Sequence, residues 1–319
     1  MLTKTSKVIL FASVFASLFA VGMAFIGTYF FANYGFFLFI ITPLLSGFVS
    51  SAIIQKNLPA GNSKKVQYAI ASSAIFCFLN GILLLFFGIE GLICMAMAFP
   101  IVLVCFIFGM LVALSIPFLK HVPTINLILC LLSINIFCGF AESTLLVKQE
   151  IFPVISSVII KAKPEDVWRE VIAFKPIPKP QEFIFTHGIS YPISAEIKGQ
   201  GVGAIRYCRF NTGDFVEPIT VWDENNLLAF DVSKQPMPMK ELSILDTDAP
   251  HLHDYFESHN GQFKLISLGD GSTLLEGTTW YSIKIYPNFY WRYWSDTIIH
   301  TIHFRVLNHI KLVVEKNNK

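Results

Sequence analysis

Seven of the eight histidines, His187, His251, His253, His259, His300, His303 and His309, lie in the second half of this 319-residue chain. Imidazole is the one side chain whose unperturbed charge turns over near neutral pH, so these positions are the first candidates for acid–base or metal chemistry. Two short pairs, His251-Leu252-His253 and His300-Thr301-Ile302-His303, carry nearby acids only at Asp254 and Asp296. Neither pair has a cysteine at zinc-ligand spacing, so no metal and no cofactor is expected. On a helical projection His303 falls at the rim of an apolar arc, His309 inside it near Trp291, and His300 toward the polar side. His303 and His309 therefore either see a cavity or hydrogen-bond locally between a helix and a sheet. Cys208 is the only cysteine of this half, and a lone strand cysteine without a histidine beside it reads as packing.

A second group of polar residues lies on predicted strands. Arg206 and Arg209 fall on opposite faces because strand side chains alternate, so one of them at most points inward. Glu217 belongs to the neighbouring hairpin strand and, depending on register, meets Cys208 or Arg209 directly or Arg206 diagonally. An interior Arg with Glu would anchor a carboxylate, hydroxyl or carbonyl, whereas an outward pair is a surface ion pair contributing about 0–1 kcal/mol. Glu276, Thr278 and Trp280 share one face of the last strand and present the same choice between lining and solvent. The candidate ligand-binding set is Arg206, Glu217, Thr278, Trp280 and His303. The glycine run 199–203 should join two strands and lacks the following helix that a phosphate loop needs. Residues 234–254, with Pro236, Pro238, Pro250, Met237 and Met239, form a lid candidate, since so long a loop is often functional.

The elements that must position these residues are short strands followed by one long helix. Strands are expected at 154–161, 190–197, 203–210, 215–222, 227–233, 255–268 and 272–286. A helix opens at Pro164-Glu165-Asp166, where proline suits the first turn and the acids suit its positive end. Asn211-Thr212-Gly213-Asp214 and Asp270-Gly271 are hairpin chemistry, so the sheet should be mostly antiparallel. Over 288–315, Trp291, Ile298, Ile299, Ile302, Val306, Ile310 and Val313 fall within about 120° at 100° per residue. The expectation is an α+β domain at 151–319 whose curved antiparallel sheet grips a long C-terminal helix, leaving a cavity between them.

The first half is different in kind. The chain is 54% hydrophobic and 14% charged, against about 25% charged in soluble domains. Apolar runs at 8–32, 36–54, 66–88, 92–119 and 125–147 predict a membrane α-helical region of about five spans within residues 1–147. The last run is the least regular because it meets Glu142. Lys4, Lys7, Lys56, Lys64, Lys65 and Lys120 all fall on one side, which places the amino terminus in the cytoplasm. Five spans of a bacterial-type inner-membrane protein would then carry the second half across, and four would leave it cytoplasmic. Pro43 and Pro100 interrupt two of the runs, but no intramembrane charge relay accompanies them, so the helices read as anchor and scaffold. A net charge of +2 carries no nucleic-acid signature.

The stretch from Val158-Ile159-Ile160-Lys161 through Pro164-Glu165-Asp166-Val167-Trp168 resembles the START-related helix-grip superfamily. So do Gly199-Gln200-Gly201-Val202-Gly203-Ala204-Ile205-Arg206, Gly261-Gln262-Phe263, the run Thr273 to Tyr281 and the terminal helix. That superfamily contains polyketide cyclases, lipid-transfer domains and the birch-pollen-allergen group, and the resemblance covers residues 151–316. It implies a cavity for a hydrophobic small molecule and leaves the reaction open, because fold does not carry function. The expected partners are the lipid bilayer and a hydrophobic ligand, with no nucleic acid. The competing expectation is an enzyme of cyclase, dehydratase or hydrolase type using His303, Glu217 or Arg206. The oligomeric state is not legible.

Overall fold

The computed structural model describes residues 3–31, 34–58, 62–145, 149–240, 252–253 and 255–318. Its contacts divide the chain into two compact units. One holds the described residues up to 145 together with residues 285–287. The other holds the remaining described residues. The short segment 285–287 belongs by its contacts to the helical unit. There the Tyr286 amide donates to the Tyr34 carbonyl at 2.8 Å.

The helical unit contains α1 (Lys4–Tyr29), a π-turn (Phe37–Ile41) running into α2 (Thr42–Asn57), α3 (Asn62–Phe86), α4 (Leu92–Leu114) and α5 (Thr124–Thr144). All five resulting helices are long and apolar enough to cross a membrane. Thr3 caps α1 by accepting from the Ser6 amide. Pro43 follows directly on the π-turn, a local departure from the α-helical ladder at the residue that lacks an amide donor. Pro100 lies inside α4, which runs through it. The fourth run ends at Leu114 rather than 119, because Pro117 opens a separate 3₁₀ turn (Pro117–His121).

Two features hold these helices together where hydrophobicity alone would not. Gly47 of α2 lies against the Phe106 carbonyl and Gly109 of α4 against the Leu44 carbonyl, so the two backbones approach as only glycine permits. Between α1, α2 and α3 the buried hydroxyl of Ser72 bonds those of Ser13 (2.9 Å) and Ser50 (2.7 Å). Glu142, the charge that made the fifth run irregular, accepts the Phe36 and Phe37 amides at 2.7 and 2.8 Å. Its carboxylate therefore caps the start of the second span, a favourable use of an acid at a helix end.

The other unit carries β1 (Ile151–Ile160), α6 (Pro164–Ile172), α7 (Phe183–Thr186), β2 (Pro192–Lys198), β3 (Ile205–Phe210), β4 (Gly213–Asp223), β5 (Leu227–Asp231), β6 (Phe256–Ser267), β7 (Thr273–Ile283) and α8 (Asn288–Asn317). The sheet order is β1-β7-β6-β5-β4-β3-β2, and every pairing is antiparallel. Strands two to seven form a meander of sequential neighbours, and β1 joins its far edge beside β7. The α6 and α7 connection therefore crosses the whole width of the sheet. Register shifts in β2, β4 and β6 supply the bulges that bend such a sheet. This is the helix-grip architecture. Its core is formed by α8 residues Val306, Leu307 and Ile310 with Leu228, Leu265 and Leu275 of the sheet and Trp168 of α6.

α8 is turned relative to the expected arc. Leu307 and Val314, outside that arc, are buried, while Ile298, Ile302 and Val313 within it are only half-buried. The buried face lies about 40° further round, as alignment of Leu307 and Val314 with the sheet requires. That rotation carries His303 inward and His300 to the new rim.

Candidate functional site

The hairpin at Asn211-Thr212 is a two-residue connection, and it sets Arg206 directly opposite Glu217. Both face α8, with Cys208 and Ile219 beside them in the core. Arg206 is 1% exposed and Glu217 5%, so the pair is sealed inside the domain. Arg206 Nη1 donates to Glu217 Oε2, and its Nε donates to the Ile172 carbonyl at 3.2 Å. The rings of Phe174, Phe230 and Phe263 surround the guanidinium at 5.4–5.8 Å. Its Nη2 has no hydrogen-bond partner among the described residues. Burial pushes the Glu217 carboxyl above its usual range although Arg206 pulls it back. Arg209 is on the opposite face, as strand alternation requires, in an exposed 2.9 Å pair with Glu196.

Cys208 pairs in register with Phe215 and is buried. Burial, aided by Glu217, pushes its thiol up to about 12, so it stays protonated and packs as a small apolar residue.

The histidines of α8 close a helix–sheet joint. Ser156 of β1 bonds His300 Nδ1 at 2.7 Å and His303 Nδ1 at 3.1 Å. His303 Nε2 meets the Thr279 hydroxyl of β7 at 2.8 Å. Burial, with His300 close by, lowers the His303 pKa to about 4. One turn or more toward the amino end, the Tyr281 hydroxyl donates to Asp296 at 2.6 Å, and Arg292 lies over the Phe152 ring at 4.0 Å. His309 packs edge-on against Phe174. His251, Asp254 and most of the 234–254 lid candidate lie outside the described residues. His259, on the bulge of β6, bonds Ser282 at 2.8 Å. Among the described residues no cluster of three metal-ligating side chains occurs.

Thr278 and Trp280 are not with this group. Thr279 and Tyr281 bond to α8, so by alternation Glu276, Thr278 and Trp280 occupy the other face of β7. The structure therefore brings together Arg206 and Glu217, sets His303 on the same side of the sheet, and separates Thr278 and Trp280 from all three. The glycine run joins β2 to β3 with Gly199, Gly201 and Gly203 at φ values of 93°, 78° and 90°, a connection that needs glycine.

An open groove of about 300 Å³ lies between α8 and the proline-rich segment before α7. Its apolar wall is Ile177, Pro178, Phe304 and Leu312, and its polar edge includes Arg305 and His309. Sequence reasoning passed over Arg305, which is 9% exposed. Its Nε donates to the Pro192 carbonyl (3.1 Å) and Nη2 to that of Pro178 (2.6 Å), with Glu182 3.7 Å from Nη1. The guanidinium thereby fastens the proline-rich segment to α8 and shapes one end of the groove. An arginine only about 20° outside the expected apolar arc was the available signal.

No protein-family model and no curated protein matches the chain. Among solved structures it is similar to norcoclaurine synthase from Thalictrum flavum, at 13% identity over 55% of this chain and 100% of that one, TM-score 0.36. It is also similar to the ZhuI aromatase/cyclase from Streptomyces sp. R1128, at 13% identity over 53% and 97%, TM-score 0.36. A conserved protein of unknown function from Enterococcus faecalis matches at 17% identity over 54% and 77%, TM-score 0.29.

Proposed function

We propose that this chain is a membrane-anchored helix-grip protein that binds a lipid or another hydrophobic small molecule. The observation that carries the reading is the groove between α8 and the proline-rich segment, apolar along its wall and flanked by fixed polar groups. Its volume is at the lower end of ligand pockets, and few polar groups on an apolar wall is their usual make-up. Burying ten methylenes would contribute roughly 8 kcal/mol before ordering costs, so apolar contact alone supports useful affinity. Binding is favoured over catalysis because His303 is engaged on both ring nitrogens and, with a pKa lowered to about 4, makes a weak base at neutral pH.

Leu312 is 68% exposed, so its replacement leaves the core intact. Leu312→Asp in the full chain should weaken binding of a fluorescent fatty-acid probe about tenfold, the equivalent of losing one apolar side-chain contact. Unchanged affinity, together with no apolar molecule found by mass spectrometry of the detergent-purified chain, would count decisively against the groove.

In this reading five spans with the lysine-bearing side in the cytoplasm would leave the sheet-bearing unit on the opposite side. Protease added to sealed cells should then cut the domain without lysis, and protection until lysis would reverse the assignment.

A further inference from the structure

We propose that the first two turns of α8 sit in the interfacial layer of the bilayer as an aromatic foot. The sequence there, Asn288-Phe289-Tyr290-Trp291-Arg292-Tyr293-Trp294, holds five aromatic side chains in six residues. Trp291 turns into the domain and is buried. Phe289 and Tyr293, one helical turn apart, are 76% and 68% exposed, and Tyr290 and Trp294 flank them. Two exposed aromatic rings stacked one turn apart, with two half-buried rings beside them, make a poor surface to leave in water. Trp and Tyr, with an apolar body and a polar tip, are instead the residues enriched where hydrocarbon meets head groups. No carboxylate occurs from 285 to 295, and the guanidinium of Arg292 faces Asp296 at 3.9 Å.

Two observations choose the bilayer over another protein as the occupant. The helical unit includes residues 285–287, with the Tyr286 amide bonded to the Tyr34 carbonyl, and Tyr34 lies three residues before the second span begins at Phe37. Phe289 is three residues beyond Tyr286. At about 3.6 Å per residue its Cα is therefore within about 11 Å of that anchoring point, comparable to the depth of the head-group layer. The covalent chain alone delivers these rings to the height at which such side chains partition.

This rests on the five helices spanning a bilayer, and the test separates the two ideas. Tryptophan is introduced at exposed sites of the full chain, Phe289→Trp in one variant and Lys316→Trp in another. Both are reconstituted in phosphatidylcholine nanodiscs with or without bromine near the head of one acyl chain. Lys316 is exposed on the same helix, about 40 Å further along at 1.5 Å per residue. The emission added at 289 should fall about twofold in brominated lipid, because an interfacial helix buries its apolar face at that depth, and the emission added at 316 should not. Equal quenching at the two sites, or none at either, overturns the proposal while leaving the anchor intact. Failure of the chain to co-elute with lipid would overturn the anchor and this proposal together.

Discussion

Arg206→Met should destabilise the sheet-bearing unit by about 3–5 kcal/mol, because it leaves the Glu217 carboxylate buried without its counter-ion. The measurement is denaturant unfolding of the full chain in detergent, followed by tryptophan fluorescence. All five tryptophans lie beyond residue 150, so the signal reports this unit. The deficit should shrink as pH falls. Burial already raises the Glu217 pKa, loss of Arg206 raises it further, and a carboxyl that takes up a proton no longer pays the cost of a buried charge. The double variant Arg206→Met/Glu217→Leu should recover wild-type stability or exceed it, since buried ion pairs are often matched by apolar residues of similar volume. That variant also separates two roles for the pair. If Arg206 and Glu217 serve only the fold, probe affinity in the double variant stays unchanged. If the unpartnered Nη2 of Arg206 addresses a ligand, affinity falls while stability holds. A single variant as stable as the wild type would mean that the pair is not sealed as described.

How far such a site could be read in advance depends on which physical rule sets each residue's place. All seven strands and the long helix were legible because alternation, turn residues and helical periodicity are local signals. The expected registers set Glu217 directly opposite Cys208 or Arg209 and only diagonal to Arg206, and the structure corrects this, because the reversal is shorter than the four residues Asn211 to Asp214. A two-residue turn at Asn211-Thr212 makes Phe210 face Gly213 and hence Arg206 face Glu217. Helix rotation was harder. The expected arc omitted Leu307, and the resulting tilt of about 40° left His300 on the polar side when it in fact bonds Ser156. Thr278 and Trp280 show the limit of alternation, which groups residues on one face without saying which face meets the helix. Arg305 and Glu142 were opaque for another reason. Each satisfies backbone groups distant in sequence, the Pro178 and Pro192 carbonyls and the Phe36 and Phe37 amides, and no local pattern announces such partners.

The His303 joint predicts a loss of stability in acid with a defined window. Its pKa is about 4 in the folded chain against an ordinary value of 6.5, so the unfolded chain binds the proton more readily. The stability conferred by keeping this imidazole neutral is complete above about pH 6.5 and is lost as pH falls toward 4. At 1.36 kcal/mol per unit, that gap corresponds to roughly 3 kcal/mol. The groups facing the ring are Ser156 from β1, Thr279 from β7 and His300 on α8 itself. The two hydroxyls offer no negative charge to offset a proton. His303→Gln keeps a side chain able to bond a hydroxyl but cannot titrate. It should be less stable than the wild type at pH 7.5, and that difference should narrow by roughly 3 kcal/mol when both are unfolded at pH 4. Other carboxylates contribute to acid unfolding equally in both chains, so the comparison isolates this ring. A stability difference that stays constant across the range would show that His303 takes up its proton without cost. The joint would then be looser than its hydrogen bonds to β1 and β7 imply, and α8 would be held mainly by Leu307, Ile310 and the Tyr281–Asp296 contact.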